Sequence, residues 1–281
     1  MDYSSERINT PISTKELERR WAAVRAAMAE QRIDVLLMQN NNDHMGGYVK
    51  YLTDLPAMFG YPVTVTFPKD ERMSVISQGA IGADVQMPPE GDGLRRGVKR
   101  AMTTSSFASA PYSLVYDAQH AERALEPYAG ATIGLVGLGT LPVSLVDYLR
   151  GGKLSTAKFV DASDLVDRIK VIKSAEEIAL IRRTAALQDA AMKAAFAAIK
   201  PGMREYEIAA VAEHAVHAGG GEQGIYLCSS TPGSDPLGQA AWQANRHLQN
   251  RVLREGDVFT LLVETNGPGA MYTELGRSSL M

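Results

Sequence analysis

The chain has 281 residues, of which 45% are hydrophobic and 22% are charged, and its formal net charge is -3. This composition is typical of a globular protein with one large or two ordinary domains. The mild acidity, with no Lys- or Arg-rich run, argues against a nucleic-acid partner. The sequence lacks an apolar run near the ~18 residues of a membrane span and does not start like a secretory signal, so we expect a soluble cytoplasmic protein without membrane contact.

The first part of the sequence alternates predicted helices with predicted strands. Apolar side chains recur at helical spacing through residues 17–28, after a capping Ser13 or Thr14. Further helices are predicted at residues 118–128 and 142–150, and strands at residues 33–39, 62–67, 73–78, 131–136 and 158–160. This alternation indicates an α/β domain, which we place at residues 1–170.

The organisation changes near residue 170. Ser174 and Glu177 form a capping-box pattern that opens an Ala-rich helix, and this helix ends before the Lys-Pro-Gly at residues 200–202. Another helix is predicted at residues 205–217, and the chain is extended from there to its end. Helices followed by strands indicate an α+β layer, in which helices cover one face of a mainly antiparallel sheet. We assign residues 171–281 to this second domain.

Two carboxylates flank a predicted hairpin in the last quarter of the sequence. Gly256-Asp257 is a turn before an apolar run at residues 258–263, and the Asn-Gly-Pro-Gly turn at residues 266–269 leads into a return strand. This arrangement places Glu264 and Glu274 close together near one sheet face. Such a pair binds a metal, shares a proton or holds a cationic substrate, unless both residues are plain surface charges.

The single cysteine, Cys228, lies in a predicted buried strand. One cysteine cannot form an internal disulfide, which fits a reducing compartment. A buried thiol is usually inert, so Cys228 is a weak candidate nucleophile.

Several motifs resemble the creatinase, prolidase and aminopeptidase P superfamily. They are Lys-Ser-Ala-Glu-Glu-Ile at residues 173–178, Ile-Lys-Pro-Gly-Met-Arg-Glu-Tyr-Glu-Ile at residues 199–208, and Arg-x-Leu-x-x-Gly-Asp at residues 251–257 with Glu-x-x-Arg at residues 274–277. The resemblance implies a creatinase-type N-terminal α/β domain followed by an α+β domain of the pita-bread fold. It also implies that only the first half of that second domain precedes Met281.

The resemblance further implies a departure from the metal-dependent members of the superfamily. Those members carry a metal-binding Asp where this chain has Leu262 and a second one where it has Glu274. Their remaining His and Glu ligands come from the second half of the C-terminal domain. Glu264 shares a strand face with position 262 and offers a shifted ligand. We therefore expect a metal-free or metal-altered protein with no cofactor, in place of the Mn, Zn or Fe of a metal-dependent relative.

Creatinase itself resembles this chain in another way, because it works without metal and takes an acid–base histidine from the loop before the Gly-Asp strand. The matching position is Asn245, and the nearest histidine is His247. His247 serves as the acid–base group only if this loop is shifted in register, and otherwise it is a solvated loop residue. His44 is a further candidate, because in dimers of this family the matching loop approaches the partner's active site.

Together these features predict a hydrolase of C–N bonds in small amidino, amino-acid-derived or dipeptide-like substrates. The predicted site residues are the catalytic His247, Glu264 and Glu274 and the substrate-binding Tyr272 and Arg277, with Arg277 orienting Glu274. The alternatives are a metallopeptidase of the Xaa-Pro dipeptidase type with a truncated site, and a non-catalytic binding or dimerisation module.

We also expect a homodimer. An incomplete second domain leaves the strands at residues 256–278 with an unpaired edge. It also leaves apolar side chains such as Val258, Leu261 and Leu262 uncovered, and surfaces of this kind are usually covered by another chain.

Overall fold

The structure is a computed structural model that describes residues 11–40, 47–55, 60–89, 91–107, 109–235 and 250–281. The chain divides into a first compact unit, Ile12–Glu176, and a second unit that contains Glu177–Met281. The assignment of domains to residues 1–170 and 171–281 stays a prediction. Within the described ranges, every helix is too short or too polar to cross a membrane.

A seven-stranded mixed sheet forms the centre of the first unit. Its strands are β1 (Val35–Asn40), β2 (Val63–Pro68), β3 (Met73–Gln78), β4 (Asp84–Gln86), β5 (Val98–Thr104), β6 (Thr132–Val136) and β7 (Lys158–Asp161). They lie in the order β4-β5-β3-β2-β1-β6-β7, with β1 antiparallel to β2 and parallel to β6. The five predicted strands are all present, which confirms the α/β class of this half.

Strands β4 and β5 were missed by the sequence analysis. The sequence of β5 contains two adjacent charges, Lys99 and Arg100, and no long β-branched run. Arg100 Nη2 lies 2.6 Å from Asp84 Oδ2 on β4, and Lys99 pairs with Glu71. These partners stabilise charges that a strand pattern does not predict.

Among the described residues, five α-helices accompany this sheet: α1 (Thr14–Gln31), α2 (Tyr48–Thr53), α3 (Leu114–Leu125), α4 (Val143–Gly151) and α5 (Ser163–Lys170). Ser13 caps α1 as predicted, because its Oγ accepts a hydrogen bond from the backbone N–H of Glu16 at 3.0 Å. Leu125 of α3 and Leu145 of α4 pack in one core cluster with Leu37 of β1 and Leu135 of β6.

The second unit has its helices before its strands, as predicted. They are α6 (Ala175–Ala198), α7 (Glu205–Ala218), β8 (Ile225–Pro232), β9 (Asp257–Gly267) and β10 (Met271–Leu280). The strands form an antiparallel sheet in the order β10-β9-β8. Met192 and Val216 of the helices share a core cluster with Phe259 and Leu261 of β9. The expectation that Leu261 is uncovered is therefore wrong, because the chain's own helices bury it.

Alternate residues of β9 have different environments. Phe259, Leu261 and Val263 are fully buried beneath the helices, whereas Leu262 and Glu264 are only partly buried. Successive side chains of a strand point to opposite sheet faces. The second unit therefore has a helix-covered face and an opposite face, which we call the open face, that carries Leu262 and Glu264.

Gln188 of α6 links the helix layer to the hairpin of β9 and β10. Its Nε2 donates to the carbonyl oxygens of Val263 and Thr273, both at 2.7 Å, and the side chain is 2% exposed. Val263 belongs to β9 and Thr273 to β10, so one amide group holds both strands. Such buried bonds fix the position of the hairpin relative to α6.

Asp117 of α3 is a fully buried carboxyl group in the first unit. Its Oδ2 lies 3.5 Å from Nε2 of Gln39, and its Oδ1 has no hydrogen-bond partner among the described residues. Burial raises the pKa of Asp117 to about 7, although the nearby hydroxyl of Ser106 opposes this shift. The group is thus neutral below neutral pH and charged above it.

Replacing Asp117 with Asn is expected to make the chain more stable at alkaline pH. The folded chain binds this proton more tightly than the unfolded chain, so the free energy of unfolding falls as the pH rises from 3.8 to about 7. The substituted amide does not titrate, so the variant lacks this fall. As the pH rises from 5 to 8, the free energy of unfolding of the variant should therefore increase by roughly 3 kcal/mol relative to that of the parent. Urea unfolding at both pH values measures this difference. Replacing the exposed Asp164 in the same way is the control and should show no such trend.

Replacing Gln188 with Met is expected to destabilise the second unit. The change keeps the side-chain length but leaves the carbonyls of Val263 and Thr273 without this donor. We expect a loss of about 1–3 kcal/mol in the free energy of unfolding, measured by urea denaturation. The exposed neighbour Asp189, changed to Asn, provides the control. A Gln188→Met variant as stable as this control would contradict the role of Gln188 in holding β9 and β10 together.

Candidate functional site

The two predicted carboxylates meet on the open face of the second unit. Glu264 of β9 is paired directly with Glu274 of β10. Directly opposed residues of antiparallel strands share a sheet face and have Cβ atoms about 5 Å apart. The hydroxyl of Tyr272 lies between them, at 2.9 Å from Glu264 Oε2 and 3.2 Å from Glu274 Oε2. We call this group the Glu264–Tyr272–Glu274 cluster.

The cluster has more hydrogen-bond acceptors than donors. The Tyr272 hydroxyl has one hydrogen, which it shares between two carboxylates. Burial, followed by the hydrogen bond to Glu264 and the two negative charges, raises the pKa of Tyr272, so the phenol stays protonated. Neither glutamate forms an ion pair with a Lys, Arg or His in the described ranges. The cluster therefore has the charge and the free acceptors to receive a cation.

Asn266 adds a further acceptor that the sequence analysis missed. It lies two residues after Glu264 on β9, and it is paired with Tyr272, so it belongs to the same face. Its side chain is 2% exposed, and its Oδ1 has no hydrogen-bond partner among the residues described. A buried amide oxygen without a partner is unfavourable until a donor reaches it. The only sequence signal was the even spacing from Glu264, which the turn residues around it obscured.

Apolar side chains border the cluster on the open face. The register of β8 against β9 places Ile225 opposite Glu264 and Leu227 opposite Leu262. All four residues are partly buried. The open face therefore offers an acidic end beside an apolar strip, an arrangement suited to a small molecule with one cationic group and one apolar part.

The described residues do not fit the metal centre of a metal-dependent relative. Leu262 occupies the expected ligand position and has no donor atom. In the described part of the chain, no group of three His, Cys, Asp or Glu side chains is placed to hold a metal ion. Structural and catalytic transition-metal sites usually need at least three protein ligands. Glu264 and Glu274 alone supply two carboxylates.

Arg277 does not orient Glu274. Residues three apart on a strand point to opposite faces, and the register places Arg277 opposite Leu261 on the helix-covered side. Its Nη1 donates to the Gly276 carbonyl at 2.7 Å, and the side chain is exposed. A spacing of three residues brings two side chains to one face of a helix but not of a strand. The role of Arg277 in binding substrate stays a prediction.

The remaining candidates have different outcomes. His247, Asn245 and His44 lie outside the described residues, so their predicted roles stay predictions. Cys228 is buried in β8 as predicted, and its Sγ lies 3.4 Å from the carbonyl oxygen of Glu205. Burial, together with the charge of Glu205, raises the pKa of the Cys228 thiol to about 12.

Two curated proteins are similar to the chain in sequence. An uncharacterized hydrolase/peptidase, y4tL, of Sinorhizobium fredii is 31% identical over 227 residues, which cover 76% of this chain and 55% of that protein. An Xaa-Pro dipeptidase of Pyrococcus furiosus is 33% identical over 92 residues, which cover 33% of this chain and 26% of that protein. The chain thus spans about half the length of the first relative and about a quarter of the second.

Solved structures share the fold. The Xaa-Pro dipeptidase from Bacillus anthracis has a TM-score of 0.62 at 18% identity, and the aligned residues cover 94% of this chain and 65% of the dipeptidase. The X-Pro aminopeptidase from Thermotoga maritima has a TM-score of 0.66 at 16% identity, and the aligned residues cover 93% of this chain and 64% of the aminopeptidase. Identities this low show a common fold alone.

The second unit also matches a protein family. Residues 179–277 match metallopeptidase family M24, and this range contains α7, β8, β9 and the Glu264–Tyr272–Glu274 cluster. The structural neighbours show that the fold is that of prolidase and aminopeptidase P over nearly the whole chain. Residues 179–277 are therefore similar to family M24, and the predicted resemblance to the creatinase, prolidase and aminopeptidase P superfamily is confirmed.

Proposed function

We propose that the protein is a peptidase-like hydrolase of C–N bonds that works without a transition metal on small cationic substrates. The observation that carries this proposal is the Glu264–Tyr272–Glu274 cluster, two facing carboxylates that share one donor and lack an ion-pair partner among the described residues. The M24 match supports the peptidase-like class. The apolar side chain of Leu262 supports the metal-independent branch.

The cluster suits the cationic end of a substrate. A guanidinium group has five N–H donors in one plane, and an ammonium group has three, so either can bond to both carboxylates. The Asn266 Oδ1 offers a third acceptor. An apolar substrate portion would then contact Leu227 and Leu262 across the open face. In this scheme the cluster binds the charged end of the substrate, and a separate acid–base group acts on the scissile bond.

His247 remains the proposed acid–base group. Hydrolysis of a C–N bond requires a proton on the departing nitrogen and removal of a proton from the attacking water. A histidine titrates near neutral pH and can perform both transfers in turn. Glu264 and Glu274 bind and orient the substrate in this scheme.

The second candidate function is an Xaa-Pro dipeptidase. The similarity of 92 residues to the Xaa-Pro dipeptidase of Pyrococcus furiosus favours it. An Xaa-Pro dipeptide carries an N-terminal ammonium group, so it also meets the charge requirement of the cluster. The two candidates differ in their need for metal ligands beyond Glu264 and Glu274.

A homodimer is part of the proposal. Within the described sheet, β8 and β10 are the two edge strands. An edge strand presents unpaired backbone groups that another chain can pair with. The proposed partner is a second copy of this chain.

Replacing both glutamates with Gln is expected to abolish cation binding while leaving stability unchanged or raised. The double change keeps the side-chain shape but removes the two charges and their mutual repulsion. Calorimetric titration against creatine-like and Xaa-Pro compounds should show at least a tenfold loss of affinity relative to the parent. Thermal unfolding should show an equal or higher Tm.

The matched control is the double replacement of Glu30 and Glu255 with Gln. Both are exposed and form no hydrogen bond or ion pair with a described residue, so the net charge changes equally. This control should bind like the parent. Identical isotherms for all three proteins would exclude the proposed role of the cluster. Binding without turnover of any compound would favour the non-catalytic module.

The purified chain is expected to hold far less than one zinc, manganese or iron ion per chain, because Leu262 supplies no ligand. Elemental analysis after gel filtration measures this content. The Leu262→Asp variant adds a third carboxylate on the open face and should bind Mn²⁺ more tightly than the parent, whereas Leu262→Asn serves as the uncharged control. A stoichiometric metal in the parent that survives gel filtration would refute the metal-independent branch and favour the dipeptidase.

A further inference from the structure

The first unit contains a cavity of about 540 Å³ that the proposed function does not use. One wall is a face of α1 that carries Glu18, Trp21 and Arg25 at helical spacing, and the other includes Arg72 and Arg96. Three arginines therefore line one cavity, whereas Glu18 is the only carboxylate among the lining residues that the structure describes.

Two of these arginines are held in place by groups that leave their charge intact. Arg25 donates from Nε to the carbonyl oxygen of Pro68, and its guanidinium lies 4.9 Å from the ring centre of Phe67. Arg72 donates from Nη1 to the carbonyl oxygens of Pro88 and Val98, at 2.8 and 3.1 Å. Carbonyls and rings orient a guanidinium without neutralising it.

Counter-charges for Arg25 and Arg72 are scarce. Neither forms an ion pair with a described acid, and Glu71 is already paired with Lys99. Burial lowers the pKa of Arg25, although the charge of Asp70 opposes this shift. Arg96 differs, because its Nη2 lies 3.0 Å from Asp54 Oδ2.

Unused donors remain on both groups. Arg25 Nη1 and Arg72 Nε have no hydrogen-bond partner among the described residues. Arginine N–H groups match the oxygen atoms of carboxylates and phosphates in charge and in geometry. We propose that this cavity binds the carboxylate or phosphate group of a small anionic metabolite, with Arg25 and Arg72 as its main ligands.

The cavity is shaped for more than a bare ion. Its volume exceeds that of an inorganic phosphate, and the mostly buried Trp21 contributes an apolar surface beside the arginines. Gly97 packs against this ring at a φ of +69°, and a Cβ added there would lie 2.5 Å from a ring atom. This position therefore requires glycine, and the indole is held firmly in the wall. The organic part of the anion would contact this apolar surface.

The test uses Trp21 as its own reporter. The chain has two tryptophans, so the Trp242→Phe variant leaves Trp21 as the only one. Inorganic phosphate and succinate are titrated separately at constant ionic strength, with chloride as the balancing anion. We expect a saturable change in Trp21 fluorescence and a rise in Tm with at least one of them. The anion that binds more tightly indicates whether the natural ligand carries a phosphate or a carboxylate group.

Two variants in this background assign the response to the cavity. Arg25→Gln should weaken binding about tenfold, because a charge-assisted bond is lost. Glu18→Gln removes the one carboxylate found among the described lining residues and should tighten binding about threefold. Glu18 is exposed and makes no hydrogen bond with a described residue, so this variant should fold normally. Arg168→Gln changes an exposed arginine of α5 and serves as the charge-matched control.

The outcomes separate clearly. Weaker binding by Arg25→Gln with tighter binding by Glu18→Gln supports the site. The proposal is overturned if neither anion gives a saturable response in the parent, or if Glu18→Gln binds no more tightly than the parent. Equal effects of Arg25→Gln and Arg168→Gln would also overturn it, because they would indicate general charge screening.

Discussion

The candidate site depends on the burial of one face of β9 beneath α6 and α7. Phe259, Leu261 and Val263 lose all contact with solvent there, which stabilises the unit by about 1.5–3 kcal/mol for each side chain. Because a strand alternates its faces, this burial forces Leu262 and Glu264 onto the opposite side. The pairing of β9 with β10 then brings Glu274 and Tyr272 to the same place. The acidity of the open face is thus a consequence of hydrophobic packing on the other face.

Much of this arrangement could be predicted from the sequence, since the strong signals were local. The cap at Ser13, the Ala-rich helix and the turn between β9 and β10 each have a residue pattern with a known geometry, and the pairing of Glu264 with Glu274 followed from the turn. Strand β5 was missed because its charges are neutralised by residues distant in sequence. The contact expected between Arg277 and Glu274 is not made, because residues three apart on a strand point to opposite faces.

Some site features have no sequence signal of their own. The missing partner of Asn266 within the described ranges and the convergence of Arg25 with Arg72 arise only when separate segments pack together.

The two units also carry opposite kinds of site. The second unit gathers uncompensated carboxylates, whereas the first gathers guanidinium groups without full counter-charge. In both, hydrogen bonds hold the groups in place, so a ligand of opposite charge would need little rearrangement of the protein.

The turn between β9 and β10 limits how this hairpin can evolve. Its residues Pro268–Ala270 determine which member of β10 faces Glu264. Inserting or deleting one residue there would exchange the faces of the whole return strand. Glu274 would move beneath the helices, and Arg277 would emerge on the open face beside Glu264, so a pair of negative charges would become one charge of each sign without any substitution. Point changes can therefore alter the charge of this face one residue at a time, whereas a single change in turn length would cancel its net negative charge.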